Sequence, residues 1–308
     1  MNINLKENKI WLTSEKGMVG SALARFLKKK KIKYISTNRR NLNLLDQKKV
    51  LQWFKKNKPK LIFMTAAKVG GIYANNTYPA QFIYENLQIQ NNIIEASKKF
   101  KVKKLIFLGS SCIYPRNCKQ PIKEKDLLSG KLEKTNQWYA IAKIAGIKMV
   151  EAYRKEYNCN FVSVMPCNMY GPNDNYDNKN SHVLASLIKK FSYAKKFNRK
   201  KVEVWGTGKP LREFMYVDDF TEAILIVMNK YNSSEPINVG SGEEISIGNL
   251  AKLIAKITKF RGKIIYNKKF PDGVPRKILN SSKIKKLGWK PKTKLYQGIK
   301  KTIYNLCK

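Results

Sequence analysis

The sequence predicts an α/β fold with a doubly wound parallel sheet, and three observations lead there. Short apolar runs alternate with amphipathic stretches of helical length through the first half of the chain. The first apolar run leads directly into a turn holding Gly17 and Gly20. After Gly171 the alternation gives way to turn-rich segments, which predicts a smaller and less regular C-terminal portion.

Taken in order, Lys9–Thr13 (KIWLT) reads as a buried strand, and Ser21–Lys30 as a helix with Ala22, Leu23, Phe26 and Leu27 on its apolar stripe. Lys33–Ser36 is a second strand. Asp46 is placed to cap a helix running to Lys56, with Pro59 beyond its end. Leu61–Thr65 (LIFMT) is a third strand, Pro79–Phe100 a long helix, Lys104–Leu108 a fourth strand, Trp138–Tyr157 another long helix and Phe161–Met165 a fifth strand. Strands alternating with helices in this way make βαβ units and a parallel sheet covered on both faces. Asn173–Asn180, the Gly206/Gly208/Pro210 cluster and Pro271–Pro275 (PDGVP) mark breaks in the second half. The expected division is a Rossmann-like domain over residues 1–170, with a returning segment at about 215–240, and a mainly substrate-binding α/β domain over 171–308.

With 308 residues and 43% hydrophobic content the chain is large enough for a sizeable core. It has no run of 18 apolar residues, so no membrane span is expected. The segment Met1–Lys9 lacks the apolar stretch of a secretory signal. Cys112, Cys118, Cys159, Cys167 and Cys307 are odd in number and show no metal-like spacing. Neither a disulfide scaffold nor a metal is expected, and a reducing cytoplasm fits. The formal net charge is +41, from 62 basic and 21 acidic residues. The lysines are spread over most of the chain and no RNA-recognition signature accompanies them, so nucleic acid is not the expected partner. Such a field would favour an anionic small molecule.

The turn Ser14-Glu15-Lys16-Gly17-Met18-Val19-Gly20 lies between a strand and a helix. A dinucleotide turn needs glycine so that backbone N–H groups approach the pyrophosphate at a helix N-terminus. Gly17 and Gly20 occupy the second and third glycine positions of such a turn, and Ser14 the first. An acidic residue after the second strand would hold the ribose hydroxyls of NAD. Here that place reads Ser36-Thr37-Asn38-Arg39-Arg40, without an acid. Arg39 and Arg40, helped by Lys16, suit the 2′-phosphate of NADPH.

Tyr139 and Lys143 stand four residues apart on a predicted helix and so share one face. An ammonium there would favour the phenolate and ready the tyrosine for proton transfer to a carbonyl oxygen. Ser110 lies just past the fourth strand, where ligands bind in open α/β sheets, placed to hydrogen-bond the same oxygen. Cys112 lies two residues further on, and His182 is the sole histidine. Read alone, Cys112 fits a small buried hydrophobe and His182 a helix-start residue; a base and an acid for inverting a carbon next to a ketone are the other reading.

At this point the motifs resemble a known family. Gly17-Met18-Val19-Gly20, Ala66–Gly71 (AAKVGG), Asn75–Pro79 (NNTYP), Gly109–Pro115 (GSSCIYP), Tyr139–Lys148 (YAIAKIAGIK), Asn168–Pro172 (NMYGP), Arg212-Glu213-Phe214 and Pro271-Asp272-Gly273 are similar to the GDP-L-fucose synthase family, within the extended short-chain dehydrogenase/reductases. The similarity runs in order from about Ile10 to Trp289. The resemblance implies a homodimeric enzyme that epimerises GDP-4-keto-6-deoxymannose at C3 and C5 and reduces C4 with NADPH. It implies that Cys112 is the epimerisation base and His182 the acid, that Ser110 polarises the keto oxygen, that Tyr139 protonates it, and that Lys143 lowers the tyrosine pKa and orients the nicotinamide ribose. It implies cofactor contacts from Ser14, Lys16, Gly17, Met18, Val19, Gly20, Arg39, Arg40, Leu108, Gly109, Lys143, Pro166, Asn168, Met169 and His182. Lys190, Trp205, Arg212 and Asp272 match its GDP-sugar contacts. The sequence departs from the family at Ser14, at Glu15 where histidine is frequent, at Thr37 where an arginine often holds the 2′-phosphate, and at Lys190 where arginine is common. Two alternatives stay open: a reductase or epimerase–reductase of a related GDP-4-keto-dideoxyhexose or -deoxyheptose, and a non-catalytic NADP- or RNA-binding protein.

Overall fold

The computed structural model describes residues 3–177, 181–270 and 272–306. Asn180, Pro271 and Cys307, each part of a motif or count above, lie outside the described residues.

Along the chain the first elements are β1 (Ile10–Leu12), α1 (Met18–Lys29), β2 (Tyr34–Ser36), α2 (Gln47–Asn57), β3 (Leu61–Met64), α3 (Ile72–Thr77), α4 (Pro79–Lys99), β4 (Lys104–Leu108), α5 (Gln137–Tyr157) and β5 (Phe161–Pro166). Then follow β6 (Asn168–Tyr170), α6 (Val183–Lys196), β7 (Lys201–Trp205), β8 (Leu211–Tyr216), α7 (Val217–Lys230), β9 (Ile237–Val239), β10 (Glu244–Ser246), α8 (Ile247–Thr258), β11 (Lys263–Asn267), β12 (Arg276–Lys277), α9 (Ser282–Lys286) and α10 (Leu295–Leu306).

The main sheet has the order β2-β1-β3-β4-β5-β9, and each of its pairings is parallel. Chain order reverses on the two sides of β1, which makes the crevice between β1 and β3 the switch point where such sheets bind ligands. The inner strands are buried along their whole length or nearly so, hence their unbroken apolar runs. A second assembly centres on β8, which pairs antiparallel with β10 and parallel with β12 and β6, while β7 and β11 form a parallel pair. Between these stretches the chain returns to the first sheet: α7 packs on α1, and β9 joins β5 at the edge. Two hydrophobic clusters result, one around the six-stranded sheet and one among α6, α8, α10, β7 and β8.

Several element ends follow from single residues. The Asp46 carboxylate accepts from Lys49 N–H at 3.0 Å and starts α2 as expected. Helix α1 begins at Met18, three residues before the apolar stripe suggests, because Gly17 is its N-cap and its carbonyl oxygen accepts from Ser21 N–H at 2.9 Å. Helix α3 (IYANNT) has no apolar periodicity and is invisible to a pattern search. Inside α5, a Cβ on Gly146 would strike the Phe107 ring and the Gln90 amide. Glycine there lets α5 lie directly on β4 and α4, and that sets the height of Tyr139 and Lys143 over the strand end.

Lys104 at the start of β4 is buried, and its ammonium donates to the carbonyl oxygens of Val227, Met228 and Tyr231 at 2.8, 2.7 and 2.6 Å. It thus supplies a donor to the Met228 and Tyr231 carbonyls and a second one to Val227, which also accepts from Tyr231 N–H at 3.1 Å. Burial, and then the nearby Arg154, pushes its pKa down to about 8. Because the folded value lies below the unfolded one, the unfolded chain binds the proton more tightly, so the lysine's contribution to stability rises between pH 8 and the ordinary lysine pKa. We predict that Lys104→Met costs roughly 3 kcal/mol in urea unfolding at pH 7, since three carbonyl oxygens lose a charged donor. Unchanged stability would mean that shedding the ammonium's desolvation cost cancels the lost bonds.

Candidate active site

A cavity of ≈ 950 Å³ opens at the carboxyl ends of β1, β3, β4 and β5 and is closed on its far side by α6, Trp205, Arg212, Asp272 and Lys277. The α1 turn forms one end. Gly17 has φ −82°, which any residue can adopt, and a Cβ there would meet nothing within 4 Å. Neither backbone conformation nor packing calls for glycine, so the space beside it is free for a ligand to approach the backbone. Gly20 differs: a Cβ there would land on the Ser14 carbonyl oxygen. Helix α1 has no side-chain cap and no acid in its first turn, which leaves its N–H groups and positive dipole end free for an anion. These features fit a dinucleotide pyrophosphate.

The departures in this turn have local solutions. Ser14 is not among the residues with positive φ, so the missing first glycine causes no backbone strain. Its N–H donates to Thr65 Oγ1 at 3.0 Å, and the Thr65 hydroxyl donates back to its carbonyl oxygen at 2.6 Å, tying the turn to β3. Glu15 faces away from the cavity and lines a separate surface pocket, where it accepts from the Tyr34 hydroxyl at 2.9 Å. Burial and this carboxylate push the Tyr34 phenol up to about 12. Thr37 is buried; its hydroxyl accepts from Trp11 Nε1 at 3.1 Å and donates to the Thr13 carbonyl oxygen at 3.0 Å.

Among the expected cofactor contacts, Ser14, Gly17, Met18, Val19, Gly20, Arg39, Leu108, Gly109, Lys143, Pro166, Asn168, Met169 and His182 line the cavity. Lys16 and Arg40 do not. Arg39 pairs with Glu85 at 3.2 Å, as does Lys68 at 2.8 Å.

Ser110 caps a short 3₁₀ turn, Ser111–Ile113, its hydroxyl accepting from Cys112 N–H at 3.2 Å. Tyr139 is enclosed between that turn and the Phe82 ring. Burial raises its pKa above the ordinary phenol value, Cys112 adds to the rise, and a hydrogen bond with Ser110 opposes it. This differs from the expected lowering by Lys143. The Lys143 ammonium donates to the Leu108 carbonyl oxygen at 2.8 Å and stands 5.8 Å from the centre of the Tyr139 ring. Burial pulls Lys143 itself down to about 8. A tyrosine so placed keeps its proton, the form that a proton donor requires.

Cys112 faces the cavity on the same wall. Asn136 Nδ2 donates to its sulfur at 3.4 Å and Lys277 Nζ at 3.9 Å. His182 is the N-cap residue of α6 and makes no side-chain cap bond. Its side chain is open to the cavity space while the surrounding protein desolvates it, which holds the imidazole below its ordinary pKa. The cavity therefore brings together Ser110, Cys112, Tyr139, Lys143 and His182.

Lys190, Trp205, Arg212 and Asp272 also share it. Lys190 lies 5.1 Å from the Trp205 ring centre and donates to the Glu203 carbonyl oxygen at 2.9 Å. Phe270 stacks on Trp205 with centroids 4.1 Å apart and planes 10° from parallel. Asp272 accepts from Thr207 N–H and hydroxyl at 2.7 and 2.8 Å, and its carbonyl oxygen accepts from Arg212 at 3.4 Å. The carboxylate thus shapes the loop as well as lining the site. Sequence reading passed over Asn136, Asp174 and Lys277, which line the same space. The only available signal for Lys277 was its place four residues after Pro271-Asp272-Gly273. Burial pushes Asp174 up to about 6.

The chain is similar to known proteins along its length. The family model described as "NAD dependent epimerase/dehydratase family" matches residues 10–240. A GDP-L-fucose synthase of Sinorhizobium fredii is 48% identical over 298 residues, covering 97% of this chain and 95% of that one. A GDP-6-OMe-4-keto-L-xylo-heptose reductase from C. jejuni superposes with a TM-score of 0.93 at 34% identity, over 100% of this chain and 99% of that one. A GDP-L-fucose synthetase from Naegleria fowleri bound to NADP superposes with a TM-score of 0.91 at 30% identity, over 100% of this chain and 96% of that one. The chain belongs to the NAD dependent epimerase/dehydratase family, among the relatives of GDP-L-fucose synthase.

Proposed function

We propose that this protein is an NADPH-dependent epimerase–reductase that converts GDP-4-keto-6-deoxymannose to GDP-L-fucose. The observation that carries the reading is that Cys112 and His182 open into the same cavity as Ser110, Tyr139 and Lys143. A simple reductase needs only the last three. The relatives' names support the sugar, and the NADP-bound relative supports the cofactor. Residues 1–170, with the return at about 215–240, form the cofactor-binding domain, and 171–308 mainly the substrate-binding domain.

The free N–H groups of α1 beside Gly17 would hold the pyrophosphate, Arg39 the 2′-phosphate, and Lys143 the nicotinamide ribose. NADPH bound there supplies the hydride for C4. Cys112, as thiolate, takes the proton from a carbon next to the ketone; the C–H electron pair moves toward the carbonyl, and an enolate forms. Ser110 and Tyr139 hold the enolate oxygen by hydrogen bonds. His182 returns a proton to that carbon from the opposite face, inverting it. At the reduction stage Tyr139 gives its proton to the C4 oxygen as negative charge develops there. Arg212 and Lys190 attract the diphosphate, and the Trp205 face offers a flat apolar surface to the base. Asp272 keeps this loop in place through Thr207.

A cytoplasmic homodimer is part of the proposal. The outer faces of α4 and α5 expose Tyr84 and Ile141, which a two-fold partner would cover. Among the described residues no helix is long and apolar enough to cross a membrane. The second reading, reduction of a GDP-4-keto-heptose, has support in the C. jejuni relative's name.

The deciding experiment gives the purified protein GDP-4-keto-6-deoxymannose and NADPH, follows NADPH oxidation and identifies the product by NMR. GDP-L-fucose is the expected product; reduction without inversion would remove the roles given to Cys112 and His182. We further predict that Cys112→Ala and His182→Ala abolish inversion, seen by NMR as the uninverted sugar in the product, while reduction of the uninverted ketone persists; Cys112→Ala also loses solvent deuterium from the product. Loss of both activities in parallel would contradict separate roles. Tyr139→Phe should lower kcat about 10²–10⁴-fold with little change in NADPH affinity, the range for losing a general acid. A loss below tenfold would move the proton donor elsewhere.

A further inference from the structure

We propose that Lys277 is a positioning residue for Cys112: its ammonium, delivered from the second sheet, holds the sulfur as a thiolate and aims it into the cavity. This rests on the epimerase reading above and names how its base is made ready.

The surroundings of the sulfur are one-sided. Asn136, just before α5, donates to Sγ at 3.4 Å, and Lys277 on β12 donates at 3.9 Å. Donors aimed at a sulfur favour its anion, and a nearby ammonium favours it more strongly than a neutral amide. Lys277 lies opposite Arg212 in the register of β12 and β8, so two cations stand side by side on the wall facing Cys112.

The other charged or titratable groups around this corner are Tyr139 on α5, Glu133 ahead of it, Asp272 beside Arg212, and Cys118, which also feels Lys277. Glu133 is committed to Arg116 at 3.1 Å. Among the described residues no carboxylate makes a salt bridge with Lys277, and its hydrogen bond goes to the Cys112 sulfur. The step it supports is balanced: the thiolate gains the carbon-bound proton and becomes a thiol, and the C–H pair becomes the enolate π bond.

The test is alkylation of Cys112 by iodoacetamide in the intact, substrate-free protein, mapped by peptide mass spectrometry across pH. Lys277→Met should slow labelling about tenfold at pH 7, with the difference closing above about pH 10, where charge assistance is no longer needed. Lys277→Arg should label at nearly the native rate. Lys277→Gln provides a second neutral variant, and thermal unfolding of each identifies any that is misfolded. Native-rate labelling in the folded neutral variants at pH 7 would overturn the proposal. So would a deficit that stays constant across pH, because that would reflect access and not charge. The measurement uses no sugar, so it stands apart from the substrate reading, whose own failure would appear as no solvent deuterium entering the native enzyme's product.

Discussion

The contact on which the site depends is the close approach of α5 to β4 and α4 at Gly146. The space a side chain would need there is filled by the Phe107 ring and the Gln90 amide. Gln90 Nε2 in turn donates to the Ala142 carbonyl oxygen at 2.7 Å, inside the helix turn that carries Tyr139 and Lys143. A helix held that close brings the Lys143 ammonium within 2.8 Å of the last carbonyl oxygen of β4. One residue beyond Gly109, the chain turns into the Ser110 cap. The tyrosine, the serine and the cysteine are therefore positioned by one interlocked contact, with little left to loop flexibility. This is the preorganisation that proton transfer in a partly desolvated pocket requires.

The opposite wall depends on a buried carboxylate. Glu213, between Arg212 and Phe214 on β8, accepts from Gly242 N–H at 2.6 Å and from Leu279 N–H at 3.0 Å. These bonds join β8 to the segment after β9 and to the chain just past Lys277. Burial pushes its carboxyl up to about 7, against those two N–H groups, which favour the anion. Gly240 leaves room for it, since a Cβ there would overlap the carboxylate. The same carboxylate thus ties the returning strand of the first sheet to the strands that present Arg212 and Lys277.

The +41 formal charge takes on a local meaning at this cavity. Arg39, Lys143, Lys190, Arg212 and Lys277 all reach its wall, and Glu15, the acid nearest the pyrophosphate turn, is turned outward onto Tyr34. A doubly anionic diphosphate and a phosphorylated cofactor enter a space whose free charges are mostly positive. The other lysines are spread over most of the chain.

Much of this was legible in the sequence, because the features involved are local. Apolar runs set the strands of the parallel sheet, since strands buried on both faces need no alternation. Asp46 and Gly20 carried their local consequences with them, and the Tyr139/Lys143 spacing placed both residues on one face of α5. Ser110, Cys112 and His182 could be singled out by residue type and motif. Long-range contact decided the rest. Lys143 is bound to a strand carbonyl and leaves Tyr139 to burial, which reverses the expected direction of the tyrosine's pKa. Arg40 and Lys16 stand off the cavity while Arg39 lines it, a difference that neighbouring positions in a basic stretch do not announce. Lys277 reaches Cys112 across 165 positions of chain, through the pairing of β12 with β8. Sequence alone determined which chemistry is present, because functional groups belong to residues. Only the tertiary structure decided which groups face one another, because those distances are set by sheet register and helix packing between segments far apart in the chain.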